Sequence, residues 1–542
     1  MIGRERVKEW MGSVPLTAEL MQRLGPRSAP PPGAYRLERL ESALPGWVAA
    51  VRARRRATAP SSGARLLLIG SLRWWVEYCT AVGLLLAADG NRVEFGILPY
   101  RTWTDEAAPF DRRRQVAYLL NTLRSARPVL RAFDISSGPT RRLPERLVHS
   151  LEQQSMIDVQ YTLQREVLDV ERPGREADLY RLRLVRNLTA AGALYPKLAS
   201  SAYDVLLLPN GSILEYGALY RTARSLGVRT VTFEFGEQRQ RMWIAQDAEA
   251  MRLDTSALWT TRGGLPLTPS ELARLEALYE ARKGAQRWST FARQWQAGRS
   301  QGAMAAAEQL RLDPSRPIAL LCTNVVGDSL ALDRQVFTRG MAEWLEATVR
   351  YFADQPQAQL IVRVHPGEMR GAGHPSVEIV RSALPQLPAH VVVVPPDSKT
   401  NTYDLIELAH LGLVYTTTVG MEMAMQGVPV IVAGRAHYRD RGFTEDPTSL
   451  ETYLTTLDQL LHRPLSTPLE RHKVETAWQY AYRFFFEFPF SFPWHLIGFW
   501  DDLAERPLET IVRPDDLVRY APALAALRGS PIDWADSHDP GA

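Results

Sequence analysis

The 542-residue chain has room for two to four domains at roughly 150 residues each and is too long for one small core. Its 45% hydrophobic and 23% charged residues are ordinary for a globular protein and exclude pervasive disorder. A balance of 64 Lys+Arg against 60 Asp+Glu leaves +4, too dilute for a nucleic-acid binder, and two cysteines exclude a disulfide framework or a thiolate zinc site.

Met1–Trp10 carries charges at Arg4, Glu5, Arg6, Lys8 and Glu9, and no apolar signal core follows them. No uncharged apolar run reaches the roughly 18 residues of a spanning helix. A cytoplasmic setting is expected. The Pro/Ser/Gly-rich stretches Ser28–Gly33 and Ala57–Gly63 frame a helical leader, residues 1–62. The basic runs Arg52–Arg56 and Arg112–Arg114 read as solvated helix faces.

Arg65–Gly70 is a short apolar run ended by glycine, which predicts a buried parallel strand. Trp74–Ala88 follows as a helix and Arg92–Leu98 as a strand, opening a Rossmann-like domain over 63–260. A helical stretch is expected from Arg113 to Ala199. Tyr203–Pro209 and Arg229–Phe235 are strands on either side of a helix, Leu214–Leu226. A capping box, Thr268-Pro269-Ser270-Glu271, starts a helix to about Gly284 within a helical connector, 261–312. A second Rossmann-like pattern covers 313–465, with strands Pro317–Thr323, Gln359–Val364, His390–Val394, Leu411–Tyr415 and Val428–Ala433. Helices Phe337–Phe352 and Val419–Gln426 lie between them. Residues 466–542 hold helices and an aromatic segment, Trp478–Trp500, expected to pack as core.

The chain has no G-x-x-x-x-G-K-[ST], no G-x-G-x-x-G after a strand, no H-E-x-x-H, no G-x-S-x-G and no D-x-D. Ligands of open parallel sheets bind beyond the carboxyl ends of the strands, and two sequences there stand out. Arg363-Val364-His365-Pro366-Gly367-Glu368 ends one strand. Pro366 fixes the backbone after His365, so the imidazole can donate to a phosphate from a rigid position; a histidine capping a turn fits the dipeptide as well. Tyr415-Thr416-Thr417-Thr418-Val419-Gly420-Met421-Glu422 puts three hydroxyls where a strand meets a helix. Hydroxyls and free amides there suit an anion, and Glu422, one turn after Thr418, suits the two hydroxyls of a ribose. An N-cap threonine with a dipole-pairing glutamate is the plainer alternative. Together the two sequences match the needs of a nucleotide ester.

RVHPGE, TYDLIELAHLGLVYTTTVGMEMAMQGVPVIVAG and AHYRDRGFTEDP resemble the bacterial capsule-polysaccharide biosynthesis glycosyltransferases, similar in layout to the Kdo- and sialic-acid-transferring capsule enzymes. The resemblance covers roughly 315–500, with a weaker echo at 203–245. It implies the GT-B fold: two Rossmann-like domains facing a cleft, extra N- and C-terminal helices, and a C-terminal segment packing back on the first domain. It also implies donor binding by His365, Pro366, Thr416, Thr417, Thr418 and Glu422.

Asn324 and Asp328 follow the first strand of the second domain, where contact with phosphate or sugar is expected. Arg435, His437, Tyr438, Arg439, Arg441 and Gly442 follow Val428–Ala433, where cations would neutralise a departing phosphate in place of a metal; a solvated loop is the alternative. The general base is sought in the first domain, at Glu215 or Glu237, with Asn210, Glu234 and Asp328 as further candidates.

The expected function is metal-independent sugar transfer from a nucleotide sugar to an oligosaccharide or lipid-linked glycan acceptor in surface polysaccharide synthesis. No metal or bound cofactor is expected, and no nucleic-acid partner. Peripheral membrane association and self-association stay open. The rival readings are a nucleotide-sugar-hydrolysing 2-epimerase and a non-catalytic nucleotide-sugar-binding scaffold.

Overall fold

A computed structural model describes residues 17–24, 36–57, 63–104, 108–137, 141–286, 298–370, 375–465 and 467–536. The punctuation at 28–33, most of 57–63 and residues 287–297 of the connector lie outside the described residues. The strands are β1 Arg65–Ser71, β2 Arg92–Leu98, β3 Leu130–Asp134, β4 Val205–Pro209, β5 Thr230–Phe235, β6 Arg241–Gln246, β7 Ile318–Cys322, β8 Gln359–Arg363, β9 Val391–Val394, β10 Leu411–Val414, β11 Val430–Val432 and β12 Phe490–Ser491. The chain divides into two compact units. Unit 1 takes Met1–Asp158, Val170–Met251 and Phe490–Ile532; unit 2 takes Val159–Asp169, Arg252–Pro489 and Asp533–Ala542.

Unit 1 is built on a sheet ordered β12-β6-β5-β4-β1-β2-β3. The five strands from β5 to β3 are parallel, and β6 and β12 extend the edge in antiparallel fashion. β1 and β4 lie in the middle and are fully buried after Arg65, as their unbroken Leu/Ile/Val runs require. The helix Arg73–Ala88 packs on β1 and β2 with its apolar residues buried nearly all round.

Unit 2 has a parallel sheet ordered β11-β10-β7-β8-β9. Its core joins Leu321, Leu360, Val362 and Leu413 to Trp344, Leu345 and Val349 of the helix Met341–Ala353. The predicted capping box is present: Thr268 Oγ1 accepts from the Glu271 amide at 3.3 Å, and Glu271 Oε2 accepts from the Thr268 amide at 2.7 Å. Counted from its own first strand, the parallel strands of each unit read 3-2-1-4-5, so both are Rossmann-like with a switch point between their first and fourth strands.

The helical stretch expected over 113–199 is interrupted by β3, and β6 and β12 extend the sheet beyond the predicted strands. β3 lies at a sheet edge with only its end residues, Leu130 and Asp134, buried, and Arg131 and Asp134 break its sequence, so it has no apolar run to announce it. Arg52, Arg55 and Arg56 are exposed on the helix Glu38–Ala57, as solvated faces should be. Phe484, Phe485, Phe486, Phe488, Phe490, Phe492 and Trp494 are all buried, as core packing requires. Arg483–Glu487 winds as a π turn, closed by a buried Arg483–Glu487 ion pair at 2.6 Å. Among the described residues, no helix is long and apolar enough to cross a membrane.

Candidate active site

The unit 2 candidates converge at the carboxyl ends of β7, β8 and β10, around the switch point between β7 and β10. Asn324, just after β7, is buried; its Oδ1 accepts from the Thr416 amide, just after β10, at 3.1 Å. Thr416 Oγ1 donates to the Leu330 carbonyl at 2.9 Å. His365 follows β8. Its amide donates to Thr323 Oγ1 at 3.0 Å, and its Nδ1 accepts from the Gly367 amide at 2.9 Å. That second bond fixes the tautomer, because an Nδ1 that accepts leaves the proton on Nε2. Pro366 opens the short turn Pro366–Arg370 that presents the Gly367 amide. A Cβ at Gly367 would stand 2.8 Å from both His365 Nδ1 and Val325 Cγ2, so the approach needs glycine.

Thr417 and Thr418 lead into a helix of only seven residues, Val419–Met425. The Thr417 carbonyl accepts from the Tyr438 hydroxyl at 2.6 Å. Thr418 makes no side-chain cap. Glu422 is 2% exposed, and Arg282 Nε stands 2.9 Å from its Oε1. Burial pushes its carboxyl above the ordinary range, against the pull of Arg282 and Tyr403. Arg282 also donates to the Tyr403 hydroxyl at 3.1 Å. Glu422 thus joins three helices, a task its local sequence does not reveal, because Arg282 lies far away in the chain.

The cationic loop after β11 divides by role. Arg439 is buried, bonding the Val432, Asp446 and Pro447 carbonyls at 2.6, 2.7 and 2.6 Å. His437 stacks on Phe484 with centroids 3.9 Å apart. Burial, then the Arg441 charge, lowers its pKa to about 3, so it is neutral. Arg441 donates to Ser256 Oγ at 2.9 Å. Arg435 is exposed, with its amide bonded to the Arg334 carbonyl at 2.8 Å. Asp328 accepts from the Ser329 amide at 2.7 Å.

In unit 1, Glu215 lies 4% exposed at the start of the helix Leu214–Ser225. Arg183 Nη1 stands 2.9 Å and Arg186 Nη1 3.9 Å from its Oε1. Burial would raise its carboxyl, but the two guanidinium groups outweigh that and hold it below the ordinary range. Asp158 shares Arg183 at 3.3 Å and accepts from Asn187 Nδ2 at 2.8 Å. Glu234 is buried at the end of β5. Its Oε2 accepts from Asn210 Nδ2 at 2.9 Å and its Oε1 from the Phe235 amide at 3.1 Å. Glu237 lies half-buried in the β5–β6 connection. That connection is held by His495, whose Nε2 donates to the Gly236 carbonyl at 2.9 Å.

The segment that carries the unit 2 site matches a family model. Residues 276–464 match the family described as capsule polysaccharide biosynthesis protein. The match takes in His365, Thr416–Thr418, Glu422 and Arg435 and bears out the resemblance over about a third of the chain. A comparison with curated proteins returns no match. Among solved structures, the chain is similar to the KpsC β-Kdo 2,4-transferase of Thermosulfurimonas dismutans, at 17% identity over 51% of this chain and 79% of that one, with a TM-score of 0.34. It is also similar to a glycosyltransferase from Rickettsia africae at 8% identity, 84% and 100% coverage and a TM-score of 0.28. A third likeness is to the UDP-GlcNAc 2-epimerase from Neisseria meningitidis bound to UDP-GlcNAc, at 11% identity, 78% and 99% coverage and a TM-score of 0.23. Arg282, missed by local pattern, also lies inside the matched segment.

Proposed function

We propose that this chain is a glycosyltransferase of surface polysaccharide synthesis, with a nucleotide-sugar donor held by unit 2 and a glycan acceptor handled by unit 1. The observation that carries the reading is the joining of β7, β8 and β10 ends at one switch point inside the capsule-synthesis segment, through Thr323–His365 and Asn324–Thr416. His365 donates from Nε2 to a donor phosphate. Thr417 and Thr418 face the same ester, Glu422 fixes the helix that follows and meets the ribose, and Arg435 balances the charge of the departing nucleotide.

An acceptor hydroxyl oxygen attacks the anomeric carbon. The bond from that carbon to the phosphate oxygen breaks, its electron pair leaves with the nucleotide, and the hydroxyl proton passes to a carboxylate. Of the two expected bases, Glu215 is an ionised, doubly paired carboxylate with a lowered pKa and so a weak base; we assign the proton to Glu237. The D-x-D that would hold a metal in other transferases is missing from the sequence, and the reaction is proposed to run in EDTA.

The test is donor turnover with and without a glycan acceptor, in EDTA. Acceptor-dependent release of nucleotide supports transfer. Turnover without any acceptor would establish the epimerase reading instead, and activity restored only by Mg²⁺ or Mn²⁺ would overturn metal independence.

A further inference from the structure

The loop from Thr323 to Gly340, between β7 and the helix Met341–Ala353, is the hub of the unit 2 site. Thr323 Oγ1 accepts from the His365 amide and Asn324 Oδ1 from the Thr416 amide, at 3.0 and 3.1 Å. The Leu330 carbonyl accepts from Thr416 Oγ1 at 2.9 Å, and the Arg334 carbonyl from the Arg435 amide at 2.8 Å. All four bonds require the loop to keep its course, so the anchor of its far end bears on the site. That end is Gly340, the N-cap of the helix, which has no side chain to cap the first amides.

The cap comes from elsewhere in the chain. Glu166 Oε1 accepts from the Met341 amide at 3.1 Å and Oε2 from the Ala342 amide at 2.7 Å. A carboxylate there also meets the positive end of the helix dipole. Glu166 lies on Val159–Asp169, a segment that counts with unit 2 although the chain on both sides of it counts with unit 1. Two loop glycines make room for that segment. A Cβ at Gly340 would stand 2.5 Å from Glu166 Oε2, and one at Gly327, where φ is +74°, 2.6 Å from the Gln160 carbonyl oxygen. The glutamate is tied to the site in two ways. Met341, whose amide it takes, accepts from the Asn324 amide through Sδ at 3.3 Å. Burial first, then the Glu166 charge, raises the hydroxyl of Tyr415, the residue before Thr416, against the pull of Arg334 and Arg435.

We propose that Glu166 is a positioning residue of the donor site. Its carboxylate caps the helix Met341–Ala353 and so holds the Thr323–Gly340 loop in the course that presents Asn324 and supports His365 and Thr416. Glu166 acts through Met341 and Asn324 and does not itself touch the donor. The proposal rests on the donor-site reading of unit 2 and adds to it a residue outside the matched segment.

The experiment titrates CMP, UDP, GDP and dTDP into the full chain as wild type, Glu166→Ala, Glu166→Gln, Gly340→Ala and Glu166→Ala/Gly340→Ala. Each titration is repeated with added formate, a carboxylate small enough to take the vacated amides. Hydrogen exchange of residues 323–342 runs alongside and needs no nucleotide. The nucleotide that wild type binds should bind Glu166→Ala at least about tenfold more weakly. Glu166→Gln and formate should each recover part of that loss. Gly340→Ala, whose methyl displaces the carboxylate, should weaken binding as Glu166→Ala does, and adding it to Glu166→Ala should change little more. Exchange of the loop should rise in Glu166→Ala and fall again with formate. A cap that only stabilises the helix would lower the unfolding midpoint of Glu166→Ala and leave its nucleotide affinity at the wild-type value; that result overturns the proposal. So does a loss of affinity that neither glutamine nor formate recovers, or a Gly340→Ala loss that adds in full to that of Glu166→Ala. If wild type binds no nucleotide, the donor-site reading falls and loop exchange alone judges Glu166: raised exchange in Glu166→Ala supports its hold on the loop, and unchanged exchange overturns it.

Discussion

The parallel strands of unit 1 and unit 2 share one order, yet their switch points are furnished differently. In unit 2 the strand ends are tied to one another through Asn324–Thr416 and Thr323–His365, within a segment that matches a known family. In unit 1 the strand ends leave Ser71 and Ser212 hydroxyls unbonded, and the strong polar interactions are buried ion pairs around Arg183. Topology fixes where a ligand can sit; the residues at the strand ends decide which ligand.

The sharpest way to break this division is at the base. Glu237→Gln should lower turnover by roughly two to four decades while leaving nucleotide affinity unchanged. Steady-state kinetics beside calorimetry measures both, and a loss of nucleotide affinity would move Glu237 into the donor site.

Next come the buried pairs, one in each unit. Glu422→Ala takes away the carboxylate that faces buried Arg282 and should cost about 3–5 kcal/mol of unfolding free energy in denaturant titration. Glu215→Ala leaves Arg183 with Asp158 at 3.3 Å and should cost less than that. An effect below about 1 kcal/mol would show that the partner finds water.

A smaller effect separates the units by pH. His437 is neutral when folded, with a pKa of about 3 against the usual 6.5. The unfolded chain binds the proton first. The stabilisation is therefore full above about pH 6.5 and falls as pH drops towards 3, by up to about 1.4 kcal/mol per pH unit. His437→Gln should flatten that slope in unfolding titrations from pH 7 to pH 4; an unchanged slope would assign it to other groups.

The smallest is the helix cap of unit 2. Thr268→Ala removes the capping box and should lower stability by about 1 kcal/mol without touching turnover.

Local pattern carried much of this. Apolar runs ending in Gly, Thr or His marked the central strands, and polar residues straight after them marked His365 and Thr416. It failed where the determinant is distant or at an edge. β3 (LRAFD) lies at a sheet margin, is buried only at its two ends and has no apolar run. Arg282 and Arg183 meet Glu422 and Glu215 only after folding, so no spacing rule links them.

The central claim is that unit 2 binds a nucleotide through His365. Isothermal titration of CMP, UDP, GDP and dTDP into wild type and His365→Ala tests it directly. The account predicts that one nucleotide binds wild type, stabilising it by about 2.7 kcal/mol at 100 times its Kd. His365→Ala should bind that nucleotide at least about tenfold more weakly, with ligand-free stability within about 0.5 kcal/mol of wild type. Equal affinity in the variant, or no nucleotide binding by wild type, would contradict it.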